Sequence, residues 1–396
     1  MTATPTRFRM GIDVLRDQDF APLRGLKVGA ICNTTSVDER LDHLADLLSR
    51  ARGVELVALF GPEHGVRGEA QDMIGVDHAI DSVTRLPVHS LYGASFDSLS
   101  LTPESLDGLD ALVFDIQDVG SRYYTYVYTM ALCMRAAARA RLAFFVLDRP
   151  NPINGLTTEG NLVHPGFESF VGLFPLPNRH AMTAGELARH FNEAHGIGCD
   201  LTVIPCEGWR RDMWWDATGR PFIPPSPNMP TVDTATVYPG LCLIEGTNLS
   251  EGRGTTRPFE LIGAPFLDPT RFVEALRAEK LDGVAFRATS FCPTFQKHAG
   301  QSCGGAMIHV TDRACFQPVR TGVAILRAAR EVGGEQFRWR TERYEFVDDK
   351  PAIDLLCGTD AVRRAIDAGQ SLDACLSGFT EELSAFESIR KKSLIY

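Results

Sequence analysis

Val54-Glu-Leu-Val-Ala-Leu-Phe60 runs without a break into Gly61-Pro-Glu63-His64-Gly65, and this junction decides how the chain folds. A run of strand length and mostly apolar character ends in a polar loop that one proline and two glycines hold short. The pattern recurs. Ala111–Phe114 leads into Asp115-Ile-Gln117-Asp118-Val-Gly120-Ser-Arg122, Ala143–Leu147 into Asp148-Arg149-Pro-Asn151-Pro, and Leu26–Cys32 into Asn33-Thr-Thr-Ser36. Open α/β sheets place their ligand crevices at strand carboxyl ends, so these four loops together predict a site.

Helical patterns separate the strands. Leu41–Ala51 carries Leu41, Leu44, Leu47 and Leu48 at helical spacing, a short helix is expected over Pro103–Leu109 after Thr102, and Tyr123–Arg141 reads as a long one. Thr183-Ala-Gly-Glu186 is a capping box that opens a helix with Leu187, Phe191 and Ala194 on one face. Leu86–Tyr92 and Leu201–Pro205 complete the strands. Strands continuously apolar and separated by helices imply a parallel sheet covered on both faces, a doubly wound, Rossmann-like α/β domain over residues 1–240.

Pro221–Gly263 is rich in Pro, Gly, Asn and Thr and has little periodicity, which predicts a long functional loop. Patterns resume after Pro265. Asp268-Pro269 starts a helix, Gly304–Val310 is a strand, and helices are expected over Thr359–Ala368 and Thr380–Lys392. Residues 241–396 thus form a second, smaller α+β domain. Two domains also suit 396 residues.

The composition narrows the function. Forty basic against fifty acidic residues give a net charge of −10, which disfavours nucleic acid or an anionic membrane as the main partner. No run approaches the ~20 apolar residues of a membrane span. The N-terminal stretch has no apolar core of a secretory signal, so a cytoplasmic location is the default expectation. The ten cysteines sit singly, with no Cys-x-x-Cys pair, and read as buried free thiols.

Several chemistries are disfavoured by missing motifs. No Gly-x-Gly-x-x-Gly follows the first strand and no Gly-Lys-[Ser/Thr] occurs, so no nucleotide cofactor is expected. His-x-x-x-His is absent; a hard cation on Asp115 and Asp118 remains the one metal alternative. Gly-x-Ser-x-Gly is absent, and Cys303 has no local base to activate it. Carboxylates remain: Glu63, fixed between Pro62 and His64, then Glu69, Asp72, Asp115, Asp118, Glu245 and Glu251. Glycoside cleavage needs two acids in contrasting environments, one to protonate the leaving oxygen and one to handle water or the anomeric carbon. A second constellation follows: Pro225-Ser-Pro-Asn228-Met-Pro, then Glu245-Gly-Thr-Asn248-Leu-Ser-Glu251-Gly-Arg253-Gly-Thr-Thr-Arg257. Its glycines allow close backbone approach to a ligand, and its arginines suit a carboxylate.

Gly61–Gly65, Phe114–Tyr126, Asp148–Pro152, Glu159-Gly-Asn161, Pro175–His180, Ser226–Pro230 and Tyr238–Phe259, in this order, resemble the NamZ-type exo-β-N-acetylmuramidases. The resemblance implies a cleft between the two domains and release of N-acetylmuramic acid from the non-reducing end of peptidoglycan fragments, without a cofactor. It makes Glu63 the catalytic acid. His64 is then its orienting neighbour, and Asp115 or Asp118 the base or the partner of the 2-acetamido group. Asn33, Arg67, Arg122, Tyr124, Asp148, Arg149, Asn178, Asn228, Glu245, Asn248, Glu251 and Arg253 are the candidate substrate contacts. The lactyl carboxylate falls to Arg67, Arg122, Arg253 or Arg257. Some members are exported, which makes a periplasmic or extracellular location the alternative. Two other readings stay open: a muropeptide-binding module without turnover, and a metal-dependent hydrolase of another acidic metabolite.

Overall fold

The computed structural model describes residues 7–63, 65–68, 79–93 and 95–396. Among them β1 (Lys27–Cys32), β2 (Glu55–Gly61), β3 (Ala79–Ile80), β4 (Pro87–Ser90), β5 (Ala111–Asp115), β6 (Ala143–Leu147) and β7 (Asp200–Ile204) form one sheet in the order β3-β4-β2-β1-β5-β6-β7. All neighbours are parallel except the edge pair β3–β4. The chain winds outward from β1 to one edge and then from β5 to the other, so the winding reverses between them. Cys32 pairs with Asp115 there, and the loops after both strands leave the sheet at one level.

Alternation explains the continuous apolar runs. Val28, Ala30, Val113, Phe145 and Leu147 pack with Ile12, Leu15, Leu44 and Leu48 of α1 (Gly11–Asp17) and α2 (Leu44–Arg50). The intervening Ile31, Leu112, Phe114, Phe144 and Val146 share a core with Val127, Met130, Leu187 and Phe191 of α3 (Tyr126–Ala140) and α4 (Ala184–Ala194). Successive side chains therefore enter two different cores, and neither face tolerates a polar residue.

The second unit is a three-stranded antiparallel sheet, β8 (Leu261–Ala264), β9 (Val284–Phe291) and β10 (Cys303–Val310), in the order β8-β10-β9. Helices α5 (Val232–Leu241), α6 (Pro269–Ala278) and α7 (Pro318–Gly333) accompany it, followed by the short α8 (Ala352–Cys357), α9 (Ala361–Asp367), α10 (Leu372–Cys375) and then α11 (Phe379–Arg390). Helix α5 crosses α7 at glycines: a Cβ on Gly240 would fall inside the Pro318 carbonyl, and one on Gly322 inside that of Gly240.

Buried contacts join the units. Leu326 and Leu355 belong to the same apolar cluster as Val127 and Phe114. Arg122, with no solvent exposure, donates to the carbonyls of Asn161 (2.6 Å), Leu176 (2.8 Å) and Leu356 (2.6 Å). Glu159 of the first unit accepts from Arg320 N through Oε1 at 2.9 Å, capping the first turn of α7, which has no side-chain cap of its own.

Some elements depart from expectation. The helix expected from Leu41 starts at Leu44: Leu41 has φ 66° and is exposed, and the His43 ring accepts from Ala45 N as the cap. The helix expected over Pro103–Leu109 is one 3₁₀ turn, Glu104–Leu106, ended by extended Asp107 and by Gly108 at φ +73°. Helix α3 begins at Tyr126 rather than Tyr123, and Ala194 is exposed at the frayed end of α4. The stretch expected to be loop contains α5, in which every residue but Asp233 is buried. A helix apolar all round carries no amphipathic period. All ten cysteines are free, and eight of them are buried. Among the described residues no helix is long and apolar enough to cross a membrane.

Candidate active site

At the end of β2, Pro62 starts a tight turn closed by Gly65 N on the Pro62 carbonyl (3.0 Å), and this turn delivers Glu63 to a cleft of about 1050 Å³ including its mouth. A Cβ on Gly61 would lie 3.1 Å from Val66 N, a tight fit that glycine avoids. The first residue of α3 fixes the turn further: the Tyr126 hydroxyl lies 2.9 Å from the Pro225 carbonyl and 3.4 Å from that of Glu63. Asn33 braces the same Pro225 carbonyl through Nδ2 at 3.4 Å, while its Oδ1 accepts from Thr35 N. The loop after β1 and the 225–230 loop are thereby tied to the turn carrying Glu63.

An aromatic wall leads into α3. Tyr124 packs edge-to-face on Tyr126 (centroids 5.0 Å) and on Tyr238 of α5 (5.9 Å), and Tyr238 packs likewise on Phe259 (4.8 Å). Tyr123 donates to the Pro239 carbonyl at 3.1 Å and accepts from Asn178 Nδ2. The Tyr124 hydroxyl is shut from solvent, with Ser226 beside it but outside hydrogen-bond geometry. Burial pushes its pKa well up, so the phenol stays neutral.

Glu245, Glu251, Arg253, Lys297 and Tyr344 of the second unit make the opposite wall. Arg253 reaches Glu245 Oε1 through Nη2 (2.7 Å) and lies 3.3 Å from Glu251 Oε1 through Nε, with its guanidinium over the Phe259 ring. Lys297 Nζ is 3.0 Å from Glu251 Oε2, and Tyr344 donates to Glu245 Oε2 at 2.9 Å. Burial alone would raise the Glu245 pKa, but the charge and hydrogen bond of Arg253, with Lys297 and Tyr344, bring it below the usual range. Two anions and two cations held this way present fixed dipoles to the cleft rather than a bare charge.

Of the residues expected at the site, Glu63, Tyr124, Asn228, Glu245, Glu251 and Arg253 line the cleft. Others are held elsewhere. Both Asp115 oxygens pair with the buried Arg149 guanidinium (2.5 and 2.9 Å). Asp118 accepts from Gly120 N (2.7 Å) and lies 3.2 Å from His180 Nε2. Asp148 accepts from Arg149 N, Gly185 N, Thr183 and the Tyr396 hydroxyl; burial raises it to about 6. Arg67 pairs with Asp81 and Asp46, Arg122 is spent on carbonyls, and half-exposed Arg257 pairs with Glu260. Asn178 reaches the cleft only through Tyr123, and Asn248 lies in a neighbouring basin. His64, Glu69 and Asp72 lie outside the described residues.

Tyr92, Lys297, Arg340, Arg343 and Tyr344, none of them expected from the sequence, also line the cleft. No motif or periodicity marks them. Tyr92 belongs to the first unit and the other four to two separate segments of the second. Among the described residues no group of three or more His, Cys, Asp or Glu is placed to hold a metal ion.

Two family profiles match the chain: the N-terminal part of exo-beta-N-acetylmuramidase NamZ over residues 28–233, and its C-terminal part over residues 236–396. The peptidoglycan beta-N-acetylmuramidase NamZ of Bacillus subtilis (strain 168) is 46% identical over 395 residues, spanning 100% of this chain and 93% of that one. A solved DUF1343 family protein from Bacteroides fragilis NCTC 9343 superposes with a TM-score of 0.90 at 34% identity, over 98% of this chain and 99% of that one. A second from the same organism gives 0.78 at 30% identity, over 99% of each chain.

Proposed function

The chain belongs to the exo-β-N-acetylmuramidase NamZ family, and on that premise we propose that it releases terminal N-acetylmuramic acid from the non-reducing end of peptidoglycan fragments, with Glu63 as the general acid. The observation that carries this reading is the position of Glu63: a carboxyl on a braced turn, facing tyrosines and the Arg253–Glu245–Glu251–Lys297 network across the cleft. Tyrosine rings suit the apolar faces of a pyranose, and an acid on the other unit suits protonation of the glycosidic oxygen as the bond breaks. Positive charge then develops on the sugar ring. Glu245, kept ionised by its cationic neighbours, is placed to stabilise it. Of the four arginines considered for the lactyl carboxylate, Arg253 is the one that lines the cleft, and we assign that contact to it.

A short glycan ending in N-acetylmuramic acid tests the reading: mass spectrometry should detect free N-acetylmuramic acid and the shortened remainder. Glu63→Gln should lose about 10²–10⁴ in kcat with an unchanged melting temperature. Near wild-type rates for that variant would remove Glu63 from the chemistry. The anomer released first, read by NMR, separates inversion from double displacement.

A further inference from the structure

The cleft continues past Lys297. Gln296, Lys297 and Arg340 also border a second basin of about 1000 Å³ including its mouth, whose remaining lining includes Asn248, His298 and Arg338. Its backbone is firmly set. Arg340 N donates to the Gly246 carbonyl (2.9 Å), Asn248 N to the Arg338 carbonyl (3.0 Å), and Arg338 N to Asn248 Oδ1 (3.0 Å). Thr247 and Trp339 pair as an antiparallel bridge. Arg338 and Arg340, on either side of that bridge, both line the basin. Trp339 between them also lines the basin and donates from Nε1 to Asp367 at 3.0 Å.

The charges here are unspent. Neither Arg338 nor Arg340 has a carboxylate within ion-pair distance among the described residues; Arg340 lies over the Tyr344 ring at 5.0 Å, and Arg338 is exposed. This contrasts with Arg253 and Lys297, which are already paired. Among the described residues Glu342 is the single acid of the basin lining, in a protein whose net charge is −10. A cationic basin joined to the cleft, on a rigid strap, is built for an anion that arrives with the substrate.

Resting on the muramidase reading above, we propose that this basin is the leaving-group subsite and that Arg338 and Arg340 read a carboxylate on the retained glycan. If the terminal sugar fills the cleft, the remainder of the chain exits past Lys297. The next muramic acid along carries such a group, either its own lactyl acid or an acid of the peptide attached to it. Arg338 and Arg340 then determine specificity for an acidic leaving group and take no part in bond breaking.

Four substrates test this with the full-length protein: a chromogenic muramide with a neutral leaving group, the trisaccharide MurNAc–GlcNAc–MurNAc, the same trisaccharide with its reducing-end carboxyl amidated, and the trisaccharide bearing an acidic peptide there. Arg338→Gln should lower kcat/KM about fivefold on acid-bearing glycans, the upper end for an exposed ion pair, and leave the chromogenic and amidated substrates unchanged. Arg338→Lys should restore part of the loss. A loss already present with the plain trisaccharide assigns the lactyl acid; a loss confined to the peptide-bearing one assigns the peptide. Equal loss on all four, or loss on none, overturns the subsite. If the wild-type protein cleaves none of them, the muramidase reading fails instead.

Discussion

Lys297 Nζ stands 3.0 Å from Glu251 Oε2 and also donates to the carbonyls of Ile244 and Glu245, at 3.3 and 3.4 Å. One side chain from the 292–302 connection thus ties down both acids of the second unit's wall. Lys297→Met would leave the Glu251 carboxylate short of a cationic donor in a confined site. A fall in kcat/KM of about tenfold or more on a chromogenic muramide is expected, with partial recovery in Lys297→Arg. An unchanged rate in Lys297→Met would show that the wall holds its geometry without this contact.

Arg253 should discriminate the lactyl group. Removing it with Arg253→Ala should cost more on a chromogenic muramide than on the matching N-acetylglucosaminide, which lacks the lactyl carboxylate. The ratio of the two kcat/KM values should fall by about tenfold, as for one charge-assisted contact. An equal loss on both sugars would mean that Arg253 serves only to order Glu245 and Glu251.

The Asp115–Arg149 pair supports the sheet where its winding reverses, and its role can be separated from catalysis. Both groups are buried, so Asp115→Ala strands a guanidinium and should destabilise by about 3–5 kcal/mol in denaturant titration. The double variant Asp115→Leu/Arg149→Met should recover most of that loss and keep a measurable rate. If the double variant is stable yet inactive, Asp115 or Arg149 has a part in the reaction.

How much of this was legible in the sequence depends on where each signal lives. The strand ends were readable because parallel strands packed on both faces stay apolar until the residue at which they leave the sheet; Phe60–Gly61 and Leu147–Asp148 mark that change. Glu63 follows directly from it. Asp115, Asp148 and Arg149 carried the same positional signal, and the structure uses them to satisfy buried loop ends. A strand-end carboxylate looks alike in sequence whether its partner is a ligand or an arginine. Helix α5 was invisible because Val232–Leu241 is enclosed on all sides. Lys297, Arg340 and Tyr344 carry no local pattern, because their proximity to Glu63 is made by the packing of two units.

Stability should respond to pH through Glu159. Its Oε2 is shut from solvent, and burial outweighs the hydrogen bond from Arg320 N and the charge of Arg179, raising the carboxyl from 4.5 to about 7. Between those values the folded chain holds a proton that the unfolded chain releases, so stability falls as pH rises from about 4.5 to about 7. The loss is complete above that range, on the order of 3 kcal/mol. Glu159→Gln keeps an oxygen for Arg320 N without the ionisation. Denaturant midpoints should therefore favour the variant at pH 8 relative to its standing at pH 5, and the opposite trend would rule the assignment out.

The α5–α7 crossing leaves no room for a methyl group at either glycine. Gly322→Ala should lower stability by about 1–3 kcal/mol or more, because the clash is with backbone that cannot swing aside. Thermal melting checks this, and a neutral substitution would mean the helices are free to separate.

Arg122 has a further consequence, one of timing. Its third carbonyl partner, Leu356, lies 234 residues downstream. At synthesis rates of about 5–20 residues per second, that carbonyl leaves the ribosome roughly 10–50 s after the guanidinium it satisfies. During that interval the nascent first unit holds a cation with one bond unmade, and Asn161 Nδ2 likewise waits for the carbonyl of Cys357. Early collapse into a finished half-molecule is thereby penalised, and the two halves of the catalytic cleft are drawn to mature together.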